Sequence, residues 1–166
     1  MPRIFLSLAA ADLILLCGAG VLALSESAPT PDRHILLAVL SLLLSCLIQV
    51  LAFTYLTVTG KMIAQAVHLA RLDDEVLTRC KRWKSMLTVN LAVAFASIVP
   101  VVATGAISWR NGTPTWTHRA AAVFTVAVHL LVWRGEHRVL VENARALDHT
   151  LRAYTAWKTH APAVSA

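Results

Sequence analysis

Charge is what this sequence has least of. Only 14% of its 166 residues are Asp, Glu, Lys or Arg, against about 25% in soluble domains. That scarcity excludes a disordered tail and a coiled coil, and argues against a soluble enzyme. Glycine is also scarce, at six residues, and none of them builds a phosphate-cradling loop. No nucleophile motif, HExxH pattern or calcium loop occurs. Cysteine is limited to Cys17, Cys46 and Cys80. Two of these lie in apolar runs and one in a charged segment, which gives neither a disulfide framework nor a zinc spacing.

What the chain does contain is hydrophobic residues, 57% of the total. A membrane-spanning helix needs about 20 mostly apolar residues. Ile4 to Leu24 is one such run, broken only by Asp12; Ile35 to Thr59 and Met86 to Trp109 are two uncharged ones. A fourth is shorter, from Trp116 to Trp133, and continues inward past Arg134, whose long side chain can snorkel. The expectation is an all-α integral membrane four-helix bundle in a single domain over residues 1–166. Its spans fall at about 4–24, 34–59, 86–109 and 117–138. Charged helical extensions cover about 60–85 and 139–160. Arg3 and small residues near Ser25 also fit a cleaved signal peptide, but Asp12 and the length of the run favour a retained span.

The net charge of +6 is a topology signal rather than a nucleic-acid one. Arg3, Lys61, Arg71, Arg79, Lys81, Arg82, Lys84, Arg134, Arg138, Arg145, Arg152 and Lys158 all fall on one side, leaving Arg33, Arg110 and Arg119 on the other. By the positive-inside rule both termini and the central loop are cytoplasmic, in a bacterial inner membrane. Trp109 and Trp116 are then expected at the outer interface, and Trp83 and Trp133 at the inner one. The basic extensions alternate with Asp73, Asp74, Glu75, Glu142 and Asp148, so anionic headgroups suit them better than nucleic acid. An Asn111-Gly112-Thr113 glycosylation match carries no meaning in a bacterial chain.

The halves read as two tandem hairpins. Ala70, Arg71, Asp74, Leu77, Trp83 and Lys84 match Ala144, Arg145, Asp148, Leu151, Trp157 and Lys158, and Gly60 corresponds to Gly135. In the extensions Met62, Ala66, Leu69, Val76 and Cys80, and Val139, Glu142, Ala146, Leu147 and Leu151, recur at helical spacing. Such stripes need a cover, either each other, the headgroup layer, partner subunits or a second copy of the chain. Ala9, Ala10, Ala11, Gly18, Gly20, Ala92, Ala94, Ala96, Ala103 and Gly105 favour close helix packing. Pro100 frees a carbonyl in the third span that Ser97 or Thr104 could satisfy.

Each span carries one strongly polar residue: Asp12, Gln49, Asn90 and His129. An Asp at the bilayer centre costs about 2.5–3.5 kcal/mol, so these residues should meet inside the bundle. They form either an interhelical hydrogen-bond knot or a proton or quinone site in which Asp12 and His129 exchange protons. His34 and His118 open the second and fourth spans at the outer interface. Together with His129 they are candidate cofactor ligands, His34 and His118 being the most economical axial pair for a b-type haem iron. The spacings to Gly60 and Gly135 are unequal, however, which speaks against the pair lying at one depth. Haem, a bare metal site and no cofactor all remain open.

The run Phe53-Thr54-Tyr55-Leu56-Thr57-Val58-Thr59-Gly60-Lys61 resembles a signature of small bacterial four-helix membrane proteins, a Tyr followed by a Thr-Gly-Lys or Thr-Gly-Arg turn. That group also opens its second and fourth helices with histidine, and has a Glu and an Asn after the fourth span, like Glu136 and Asn143. Where it often carries a second histidine before the Tyr, this chain has Ser45, Cys46 and Leu47. The resemblance implies architecture rather than an activity. The reading that follows is a small membrane subunit of an inner-membrane assembly, with electron transfer through haem or quinone as its sharpest version and no independent catalytic activity. A scaffold without cofactor and a small ion or solute transporter are the alternatives.

Overall fold

A computed structural model describes residues 1–24, 31–111 and 115–160. They form four helices: α1 (Pro2–Leu24), α2 (Pro31–Ala70), α3 (Glu75–Asn111) and α4 (Trp116–His160). The fold is all-α. The Gly112-Thr113 part of the glycosylation match, the first outer loop and the Trp109 side chain lie outside the described residues.

Three helices are long and apolar enough to cross a membrane, over Pro2–Leu22, Arg33–Ala70 and Glu75–Ser108. The expected fourth span falls short of that standard, because Arg119, Arg134, Glu136 and Arg138 interrupt α4. Its position explains why this is tolerated. α4 packs against α1, α2 and α3, as α2 packs against α1, α3 and α4, whereas α1 and α3 make no contact among the described residues. α2 and α4 are thus the inner diagonal. The outward surfaces of α1, α2 and α3 are apolar, with Ile14, Val21, Leu43, Val50 and Val99 each more than 60% exposed. A surface of that kind suits lipid rather than water.

α2 has 40 residues and α4 has 45. At 1.5 Å per residue they are about 60 and 68 Å long, roughly twice the hydrocarbon thickness of about 30 Å. Residues 139–160 therefore continue the fourth helix without a break, whereas the 60–85 extension is the end of α2 and the start of α3 with a turn between them. The extensions cover each other, since Ile63, Ala66, Val67, Ala70, Trp83, Leu87, Val139 and Leu140 are all buried. The expected stripe was displaced on α2, where Met62 and Leu69 face outward. Trp83 and Trp133 also depart from expectation. Both are core residues packed with Phe5, Ile48, Leu56 and Leu87, not an interfacial belt, whereas Trp116 is exposed. Of the small residues, Ala9 and Ala94 join the core, while Ala10, Ala11, Ala92 and Ala96 face outward.

Local chemistry sets the helix ends. Arg71 adopts the left-handed conformation (φ 52°) and the Leu72 amide donates to the Val67 carbonyl at 3.0 Å, closing α2 in a Schellman-type cap. The Asp73 carboxylate then accepts from the Glu75 amide and starts α3. This turn removes the register in which the two extensions were matched, while α1 with α2 and α3 with α4 remain two consecutive packed pairs. Residues 69–84 contain the turn, whereas the matched residues 143–158 are uninterrupted helix. Inside α3, Ser97 donates to the Ala94 carbonyl and Thr104 to the Pro100 carbonyl. Neither serves the Ala96 carbonyl, the one that Pro100 leaves without a donor.

Candidate functional site

The inner faces of α2 and α4 are polar along most of their length. On α4 a buried row runs through His118, Ala122, Thr125, His129, Val132, Glu136, Val139, Asn143 and Thr150, with Trp133 and Leu140 buried beside it. The row follows the alternating three- and four-residue steps of a heptad seam. On α2 they include Ser41, Ser45, Gln49, Ala52, Leu56, Thr59 and Ile63. The helices run parallel in constant register. His34 meets His118 at one end, with ring centroids 5.7 Å apart, and Asn143 donates to the Thr59 hydroxyl at 2.7 Å at the other. Both pairs are 84 positions apart in sequence. The objection drawn from unequal spacing to Gly60 and Gly135 is therefore removed, because those glycines are not structural equivalents.

The outer level is built by a helix cap. The Thr115 hydroxyl accepts from the His118 amide and lies 3.0 Å from the Ser108 hydroxyl, tying the start of α4 to the end of α3. His118 is thereby turned into the bundle. Its Nδ1 lies 3.3 Å from the Thr104 hydroxyl. That hydroxyl gives its proton to the Pro100 carbonyl, so it accepts from His118. His34 Nδ1 lies 3.1 Å from the Ala19 carbonyl, which can only accept. Both contacts suit the Nδ1–H tautomer, which carries its lone pair on Nε2. Gly105 permits the approach of α3, since a Cβ there would come within 3.3 Å of His118 Cε1.

The middle level is Asp12, Ser41, Ser45 and His129. Asp12 is fully buried and accepts from Ser41 at 2.7 Å and from Ser45 through its other oxygen. Its cost is met by two hydroxyls one turn apart on α2. His129 lies within electrostatic reach of Asp12. Its Nδ1 bonds the Thr125 carbonyl at 3.0 Å, again suiting a lone pair on Nε2, and its ring meets Trp133 edge to face. Thr125 in turn donates to the Ser97 carbonyl at 2.7 Å, which ties α3 to the seam.

The inner level is Gln49, Trp133 and Glu136, followed by Tyr55, Thr59 and Asn143. Glu136 is fully buried and neither of its oxygens has a partner; Gln49 Oε1 and Trp133 Nε1 are unpartnered as well. Gln49 lies beside Glu136 without completing a hydrogen bond. One turn further in, Asn143 lies beside both Thr59 and Tyr55.

Of the residues singled out from sequence, the structure brings His34 to His118, and Asp12 to the depth of His129. Gln49 sits one turn inward from Ser45. Asn90 does not join them. It is half-buried on the α3/α4 seam, where its amide packs against Gly135, 3.3 Å from where a Cβ would stand. The polar knot therefore joins α1, α2 and α4, not all four helices. Glu136 was missed as a site residue because it follows Arg134 and so falls beyond the apolar run. The heptad continuing through Thr125, His129, Glu136 and Asn143 is the signal that would have found it. Among the described residues no three His, Cys, Asp or Glu side chains converge as a cage for a metal ion. No protein-family model, curated protein or solved structure matches the chain.

Proposed function

We propose that the chain is a small multi-pass subunit of a bacterial inner-membrane assembly that transfers electrons through a b-type haem held by His34 and His118. One observation carries this reading. Two imidazoles from parallel helices meet with each Nδ1 beside an oxygen, an arrangement that suits lone pairs on the two Nε2 atoms. Fixing one ring nitrogen through a carbonyl or hydroxyl is how proteins orient histidine for a metal. When bound, haem would supply one-electron chemistry at the outer side of the membrane.

The fit requires modest movement. Two imidazoles on one metal at about 2.0 Å per bond have centroids about 6.3 Å apart, against 5.7 Å here. The rings meet edge to face, so one must turn about its χ2 and give up its present Nδ1 contact. Gly18, Ala19, Gly20 and Gly105 leave little side-chain bulk at this level. A Cβ on Gly20 would meet nothing within 4 Å.

The distribution of basic residues supports cytoplasmic termini in this reading. Asp12, Gln49 and His129, inward from the histidine pair, are the candidate proton or quinone site. Partner subunits or a second copy would complete the electron path. The test is the visible spectrum of the full chain purified after expression with haem supplied. A Soret band that shifts on reduction is expected, and His34→Ala and His118→Ala should each abolish it. Colourless, iron-free protein, or a variant with an unchanged band, overturns the assignment.

A further inference from the structure

The haem reading makes no use of the most anomalous group in the bundle. Glu136 is a carboxyl with no exposure and no hydrogen-bond partner on either oxygen. Gln49, whose Oε1 has no donor, lies beside it, and Trp133, whose Nε1 has no acceptor, stands three residues earlier on α4. Buried polar groups in proteins are almost always paired, and a cluster of exceptions calls for a reason.

We propose that Glu136 is a proton-binding site, the inner station of a proton path along the α2/α4 seam to His129 and Asp12. A single proton makes Glu136 neutral and gives it the O–H donor that the neighbouring Gln49 Oε1 lacks. Uptake forms one O–H bond on Glu136 and breaks one in the donor; release reverses this. No electrons move, so no oxidant or reductant is required.

The surroundings define the route. Outward along α4, His129 offers its Nε2 lone pair two turns away, about 10 Å along the axis, and α1 contributes Asp12 at that depth. Inward, α2 contributes the Tyr55 hydroxyl beside Asn143. α3 faces this region with Trp83 and Leu87, neither titratable. Arg134 and Arg138 point away, being exposed, and the ring of His137 stacks on Phe5. Ionisable residues inside membrane bundles commonly mark such relays.

The proposal does not rest on haem, and colourless protein that passes protons leaves it intact. The full chain is reconstituted in vesicles of neutral and anionic phospholipid enclosing a pH-sensitive dye. A potassium gradient with valinomycin then drives protons inward. Wild type should acidify the lumen faster than empty vesicles. Glu136→Gln should be about tenfold slower, the effect of a barrier raised by about 1.4 kcal/mol. Glu136→Asp, which keeps the carboxyl, should retain more than half the rate. In infrared spectra, Glu136→Gln should remove a protonated-carboxyl band. Wild-type flux no greater than that of empty vesicles overturns the proposal, as does Glu136→Gln at the wild-type rate. So does Glu136→Asp as slow as Glu136→Gln, or an infrared band unchanged in Glu136→Gln.

Discussion

The two serines that hold Asp12 allow a quantitative test of why an acid is tolerated in the bundle. Ser41 and Ser45 each donate to one carboxylate oxygen. Cross-helix hydrogen bonds in membranes average about 0.6 kcal/mol and reach about 1.7, and bonds to charged groups lie at the upper end. Ser45→Ala should therefore cost about 1–1.5 kcal/mol. Ser41→Ala with Ser45→Ala leaves the acid with neither hydroxyl, and the loss should approach the penalty of about 2.5–3.5 kcal/mol for an unpaired central Asp. Adding Asp12→Val, a side chain of nearly the same size, removes the group that suffers. The triple variant should return to within about 1 kcal/mol of wild type, because paired polar groups replaced together cost little. Reversible unfolding in mixed micelles, titrated with sodium dodecyl sulfate, measures all four proteins. A triple variant no more stable than the double would show that the serines matter for packing rather than for Asp12. Success would also provide a folded protein without Asp12, in which loss of proton transfer cannot be blamed on misfolding.

Two further outcomes concern the α2–α3 turn. Arg71 holds a left-handed conformation that costs a side chain about 1–2 kcal/mol, while glycine gives back about 0.5–1 through entropy. Arg71→Gly should stabilise the protein by roughly 0.5–1 kcal/mol in the same unfolding assay, and a destabilised variant would refute the cap. Burial pushes the Cys80 thiol above its ordinary range, so less thiolate is present at any given pH. In a chain with Cys17→Ser and Cys46→Ser, maleimide labelling should be slow at neutral pH. It should keep accelerating above the pH where a free thiol levels off, and a rate that levels off there would contradict the burial.

The all-α class and three of the helices were legible in the sequence because apolar runs of that length have few other uses. The meeting of His34 with His118 was only half legible, since two histidines open helices that run in the same direction but their unequal spacing to Gly60 and Gly135 argued against a common depth. What failed was inference by sequence likeness. The match between residues 69–84 and 143–158 predicted equivalent structure, yet Arg71 ends a helix and Arg145 sits inside one. The expected fourth span is the one that hydropathy alone does not support, because the charges on α4 count against it whatever the three neighbours it packs on. Burial by neighbouring helices is likewise invisible to hydropathy, so Trp83 and Trp133 were read as interfacial when they fill the core, and Glu136, past the apolar run, drew no site reading.

The equal spacing of the two ties between α2 and α4 has a mechanical meaning. Twenty-five residues separate His34 from Thr59 and His118 from Asn143 alike, a rod length of about 38 Å. Rods fastened at matching points at both ends cannot slide past each other without releasing both fastenings. They can open like a peg, pivoting on the Thr59–Asn143 clasp. To part the histidine rings by about 0.6 Å, a pivot at that distance turns through only about 1°. The histidine end can thus admit a guest while the Thr59–Asn143 end stays latched.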